Sequence, residues 1–208
     1  TLRVDHANKL ALLAEQAGVH LGSVHQNRFN PAMVASKDLI DSGVLGSIIS
    51  VAVRLRWSRK PDYYLDEWHG RWKSDGGVVS QQAFHHLDAL HFLQGDVNSF
   101  HSMGARRRHS LEADDTSVGF FELKDGALGT FEFTTALTGP DLEASIEILG
   151  TGGVLGLGGI ALNTITYLSI PGLNKNLTES VLNSSQEVPS GYGLGHLPLL
   201  RQTIERIV

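Results

Sequence analysis

The sequence predicts an α+β domain: an open, mostly antiparallel β-sheet with helices on one face, preceded by a helix and strand that belong to another unit. Two strong helical segments fall early, at about residues 31–41 and 78–93. From residue 97 the hydrophobic period changes to two, and consecutive strands are separated by turn signals such as Lys124-Asp125-Gly126. The first 27 residues read instead as a helix followed by a strand, an α/β pattern, so the chain divides into pieces 1–27 and 28–208. Because it starts at Thr1 and opens almost at once into a helix, it reads as part of a longer protein.

The elements follow in order. Val4, Ala7, Leu10, Ala11, Ala14 and Ala17 recur at helical spacing, and Gly18 is a stop signal. Residues 19–25 alternate with small residues and predict a short strand. Asn30 is placed to cap the next helix, whose first position suits Pro31 because its missing N–H has no partner there. Residues 47–57, rich in Val and Ile with alternating Arg, predict a strand with one wet face. Residues 61–74 form an aromatic loop with Tyr63, Tyr64, Trp68 and Trp72, and Gly76-Gly77 leads into a helix ended by Gly95. Strands are predicted at 97–108, 116–123, 127–136, 142–149 and 160–170, then a long polar loop over 172–195 and a final helix over 196–208.

The 208 residues carry a formal charge of -5, which argues against a phosphate-backbone binder. The one basic run, Arg106-Arg107-Arg108, reads as a solvated strand face. With no cysteine there is no disulfide framework, thiolate nucleophile or cysteine-ligated zinc. Neither a membrane-span-length apolar run nor a signal segment is present, so a cytoplasmic location is expected, and the triplets Asn176-Leu177-Thr178 and Asn183-Ser184-Ser185 read as accidental.

The densest cluster of chemistry runs from Asp75 to Asp88. On one continuous helix Gln81, His85 and Asp88 lie at i, i+4 and i+7, a polar stripe beside a glycine turn. An imidazole there can exchange a proton with a hydroxyl; the bland reading is a solvated face with a buried histidine. A metal reading of His85, His86, Asp88 and His91 lacks further ligands, so no metal is expected. In Gln26-Asn27-Arg28-Phe29-Asn30-Pro31, Arg28 either grips an anionic ligand at a helix N-terminus or pairs with a nearby acid. The aromatic loop, with Lys60, Arg71 and Lys73, suits sugars and nucleobases or is simply core. Gly156-Leu157-Gly158-Gly159-Ile160-Ala161 matches a dinucleotide fingerprint by spacing, but a strand rather than a helix follows, so its glycines read as hairpin turns.

Together these motifs resemble the glucose–fructose oxidoreductase, inositol dehydrogenase and rhizopine-catabolism (Gfo/Idh/MocA) family. The resemblance rests on the 4–17 helix, Asn27-Arg28-Phe29-Asn30-Pro31, Leu45-Gly46-Ser47, the Gly76-Gly77 to Asp88 helix and the hairpin at Ile148-Leu149-Gly150-Thr151-Gly152-Gly153. It implies that 1–27 is the end of a Rossmann domain and 28–208 a substrate-binding and oligomerisation domain. Tyr63-Tyr64, Trp68-His69-Gly70, Trp72 and Gln81-Gln82 through His85-His86 look most like enzymes oxidising UDP-activated N-acetylglucosaminuronic acid at its 3-hydroxyl. It implies His85 as the proton-handling residue. The lysine that the family pairs with it, in a glutamate-lysine-proline motif, is absent from these residues. Gln81 stands where many relatives carry aspartate, and His69 replaces an arginine expected after Trp68.

The function implied is hydride transfer from a sugar or sugar-nucleotide hydroxyl to nicotinamide, with NAD or NADP bound in the full-length protein and no cofactor expected on this chain alone. Arg28, Asn30, Tyr64, Lys73 and Gln81 are the candidates to hold substrate. A homo-oligomer through the sheet face is expected, and neither nucleic acid nor membrane. Two alternatives stand beside this reading: a non-catalytic oligomerisation module, and a dehydrogenase of a free polyol such as inositol.

Overall fold

In a computed structural model that describes residues 2–108, 110–188 and 191–207, six α-helices and a seven-stranded sheet are present among the described residues. Helix α1, Val4–Ala17, ends at Gly18 in the left-handed conformation (φ 64°), and no residue along it is buried. Residues 19–25 do not form the expected strand. They form no regular element and have no ladder partner, so α1 has no sheet to pack on. A single 3-10 turn, Gln26–Phe29, leads to α2, Pro31–Asp41.

The expected helix over 78–93 is two helices: α3, Gly77–Ser80, and α4, Phe84–Gln94, with the backbone bent at Gln81 (φ -99°, ψ -70°). Strands β1 (Ile48–Arg56), β2 (Val97–Ala105), β3 (Thr116–Leu123), β4 (Leu128–Thr134) and β5 (Glu143–Gly150) follow the period-two segments, β2 and β4 stopping short of their expected ends. Strand β6, Val154–Gly158, was not expected: Gly156 and Gly158 lie inside it, and only Gly159 turns the chain towards β7, Thr164–Ser169. The expected 172–195 loop contains α5, Lys175–Asn183, capped by the Asn174 side chain, which accepts from the amides of Asn176 and Leu177. Helix α6 spans His196–Ile207, and Val208, the expected last residue of that helix, lies outside the described residues.

The strand order is β2-β3-β4-β1-β5-β6-β7, and of these pairs β1 and β4 alone run parallel. Alternation sends Val51, Val53 and Leu55 of β1 towards the helices, where they join Phe121, Phe131, Phe133, Ile146 and Ile148, Met33 of α2, and Leu90 and Leu93 of α4 in one core cluster. The other face is open. Arg54 lies 3.0 Å from Glu147, and Arg56 is bound by Glu132 and, at 2.9 Å, by Glu143, with Val118, Phe120, Leu128 and Leu149 exposed around them. Among the described residues no helix is long and apolar enough to cross a membrane.

Candidate active site

The site lies where the strand ends, the aromatic loop and the start of α4 meet. Its foundation is the double glycine. Gly76 and Gly77 both take positive φ (71° and 75°), and a Cβ on Gly77 would stand 2.9 Å from the Asp114 carbonyl oxygen. The buried Asp75 carboxylate accepts from the amides of Gly70 (2.5 Å) and Gly77 (2.9 Å), and Val78 N–H donates to the Asp114 carbonyl at 2.9 Å. The turn therefore clamps the aromatic loop to the residues before β3 and aims α3 and α4.

His85 and His86 sit in the first turn of α4. His85 is half-buried; its Nδ1 is sealed without a partner, whereas Nε2 is not. Burial pushes its imidazole below the ordinary histidine range, the Asp88 carboxylate opposes this, and His25 and His196 add to the downward shift. The ring is thus an uncharged base at neutral pH with one open nitrogen. His86 is fully buried with both nitrogens sealed, its pKa pushed down to about 3 by burial and then by His85; it packs edge-on to Trp57 at 5.8 Å.

Arg28 is engaged by Asp88: Nε donates to Oδ2 at 2.9 Å and Nη2 to Oδ1 at 2.5 Å, while the guanidinium lies 5.3 Å from the Phe92 ring centre. That hydrogen bond pair is the first cause of the raised Arg28 pKa. Of the two sequence readings of Arg28, pairing with an acid is what the geometry presents. Asn30 is fully buried, and its side chain does not cap α2: Nδ2 donates 2.7 Å to the Ala161 carbonyl, and Oδ1 accepts from Leu194 N–H at 3.0 Å. With both polar ends committed, Asn30 ties three segments together and presents nothing to a substrate.

Tyr64 shares a 2.8 Å hydrogen bond between its hydroxyl and Thr135 Oγ1, and burial raises its pKa above the ordinary phenol value. Tyr64, Tyr63, His69 and Trp68 form an aromatic ladder with ring centres 5.0, 4.1 and 3.6 Å apart. Trp68 and Trp72 are about half exposed. Lys73 is exposed and makes no hydrogen bond or ion pair among the described residues. Gln81 occupies the bend before α4, so it is not on one continuous stripe with His85 and Asp88; its neighbour Gln82 donates to the Tyr63 hydroxyl at 3.2 Å.

Two participants were missed in the sequence. His25 Nδ1 stands 2.9 Å from Asp88 Oδ1, and His196 begins α6 close enough to act on His85. His25 directly precedes the Gln26–Asn30 motif, but nothing local signals that its carboxylate lies 63 positions on; the packing of 191–196 against 26–30, where a Cβ on Gly195 would meet the Gln26 carbonyl oxygen at 1.7 Å, is equally non-local. Among the described residues no group of three or more His, Cys, Asp or Glu is arranged to hold a metal ion. The Gly156–Gly159 run lies in β6 and its turn, with no helix N-terminus behind it, so this run does not form a dinucleotide-binding turn.

Comparison with known proteins agrees with this architecture. A family profile described as GFO/IDH/MocA C-terminal domain matches residues 33–156. The WlbA dehydrogenase of Bordetella pertussis, solved with NADH and UDP-GlcNAcA, superposes with a TM-score of 0.88 at 32% identity, over 99% of this chain and 59% of that one. The WlbA enzyme of Chromobacterium violaceum, in the same kind of complex, gives 0.88 and 30% over 98% and 57%. A D-xylose dehydrogenase from Paenarthrobacter nicotinovorans is 28% identical over 90% of this chain and 54% of its own length. The chain thus spans a little over half the length of these relatives. A half-buried histidine on a helix behind a double glycine, an open sheet covered on one face and a matching profile lead to one assignment: this chain belongs to the Gfo/Idh/MocA family and corresponds to its C-terminal domain.

Proposed function

We propose that this chain is the substrate-binding part, residues 28–208, of an NAD(P)-dependent dehydrogenase acting on a sugar-nucleotide hydroxyl, with residues 1–27 as the end of the dinucleotide-binding part. The observation that carries the reading is His85: uncharged through burial, with Nδ1 sealed and Nε2 open, beside the Asp88–Arg28 pair. Oxidation of a carbinol removes a proton from oxygen and a hydride from carbon. A nicotinamide held by the remainder of the protein supplies the hydride acceptor. His85 Nε2 takes the hydroxyl proton.

Lys73, Gln81 and the open Nη1 edge of Arg28 are proposed to hold the substrate, with Tyr64 and the exposed Trp68 and Trp72 as its aromatic wall. The likeness to the WlbA enzymes over nearly the whole chain favours UDP-GlcNAcA-like substrates. The D-xylose relative supports the second reading, a free sugar. A second copy is proposed to cover the open sheet face.

The test is turnover of the intact protein with UDP-GlcNAcA, D-xylose and inositol, each against NAD+ and NADP+. His85→Asn should lower kcat on the order of a hundredfold, as for loss of a general base. Wild-type turnover in His85→Asn would remove His85 from the chemistry.

A further inference from the structure

We infer that His25, held by Asp88, is the relay that carries the His85 proton out to solvent; this rests on the proposed role of His85 as proton acceptor. A proton taken up by His85 cannot stay. Burial disfavours the imidazolium, and its sealed Nδ1 has no acceptor, so the proton must leave from Nε2.

His25 is built to receive it. Its Nδ1 lies 2.9 Å from Asp88 Oδ1, at ion-pair distance though off the N–H axis. Two lone pairs at that separation repel, so the hydrogen sits on Nδ1 and the Nε2 lone pair is free to accept. Asp88 is held in turn by two bonds from Arg28 and has a side chain only 7% exposed, so the orienting carboxylate is fixed. The Phe84 ring touches both imidazoles, 5.3 Å from the His25 ring centre and 5.6 Å from that of His85. His25 also lines a hollow of about 660 Å³, together with His20, Arg28, Gln202 and Arg206, which gives it a path to water. His196 is the other imidazole acting on His85, but no carboxylate partners it among the described residues.

The step balances without a co-reactant. The proton passes from His85 Nε2 through water to His25 Nε2 and then to solvent, leaving both rings neutral. In the intact protein, His25→Gln should lower kcat about tenfold while the KM for sugar changes little, and added imidazole buffer should restore the rate. Asp88→Asn should give a similar loss. With histidine nitrogens labelled, NMR of the unaltered protein should show His25 protonated on Nδ1. A His25→Gln enzyme with unchanged kcat, a loss that imidazole does not relieve, or a His25 protonated on Nε2 would overturn the relay. If His85→Asn itself turns over normally, the parent reading fails instead.

Discussion

Adjacent histidines 85 and 86 occupy one helical turn yet face opposite chemical worlds, because a helix step of one residue rotates a side chain by about a quarter-turn. His85 keeps one nitrogen open; His86 keeps none and is held neutral with a pKa of about 3 against an ordinary 6.5. The sign of the consequence follows. Between those values the unfolded chain binds a proton that the folded chain refuses, so stability from neutral His86 is full above pH 6.5 and is lost as pH falls towards 3. That slope is about 1.4 kcal/mol per pH unit. Urea unfolding at about pH 7 and about pH 5 should show it in the parent and a shallower dependence in His86→Phe; identical slopes would mean His86 is protonated in the fold. At this scale the sequence speaks only where chemistry is local. His85 was singled out by a stripe with Gln81 and Asp88 at i, i+4 and i+7, which the bend at Gln81 interrupts. The commitment of Arg28 to Asp88 was one of two readings left open, since the partner is 60 positions away.

At the scale of elements, Asn30 shows how a motif can be recognised for the wrong reason. It precedes Pro31 as a helix cap would, but its side chain instead bridges the β6–β7 turn at Ala161 and the segment before α6 at Leu194. Asn30→Ala would orphan a carbonyl and an amide at once, a loss of about 2–3 kcal/mol. Denaturant unfolding should report it, and a loss below about 0.5 kcal/mol would show that those groups find other partners. The elements misread from sequence share a cause: tertiary contacts override local signals. Gly156 and Gly158 read as turn residues, yet they are strand residues that let β7 approach, a Cβ on Gly158 meeting Thr166 at 2.5 Å. Helix α5 was hidden in a polar stretch, although Asn174 with Leu177 and Val181 at i+3 and i+7 was a legible cap and stripe. Strands β1 and β4 were legible because one buried and one wetter face impose alternation along them.

For the whole molecule the open sheet face is the surface proposed to meet a second copy. Val118, Phe120, Leu128 and Leu149 are 43–63% exposed around the Arg54 and Arg56 ion pairs, and a hollow of about 330 Å³ lies among them. Such an apolar surface with a charged centre suits a second copy related by two-fold symmetry. Light scattering at micromolar concentration should give an oligomer, and Phe120→Glu with Leu128→Glu should shift it towards monomer; a strictly monomeric parent would remove the interface. The strand order has a further consequence, one of timing. Strand β1 sits at the middle of the sheet, yet its neighbours β4 and β5 begin at Leu128 and Glu143, long after β1 ends at Arg56. At ribosomal speeds of about 5–20 residues per second, the 72 residues from Arg56 to Leu128 take roughly 4–14 s to make. During synthesis the most apolar strand of the centre therefore waits unpaired for seconds, and the β2-β3-β4 meander is free to assemble first and receive it last.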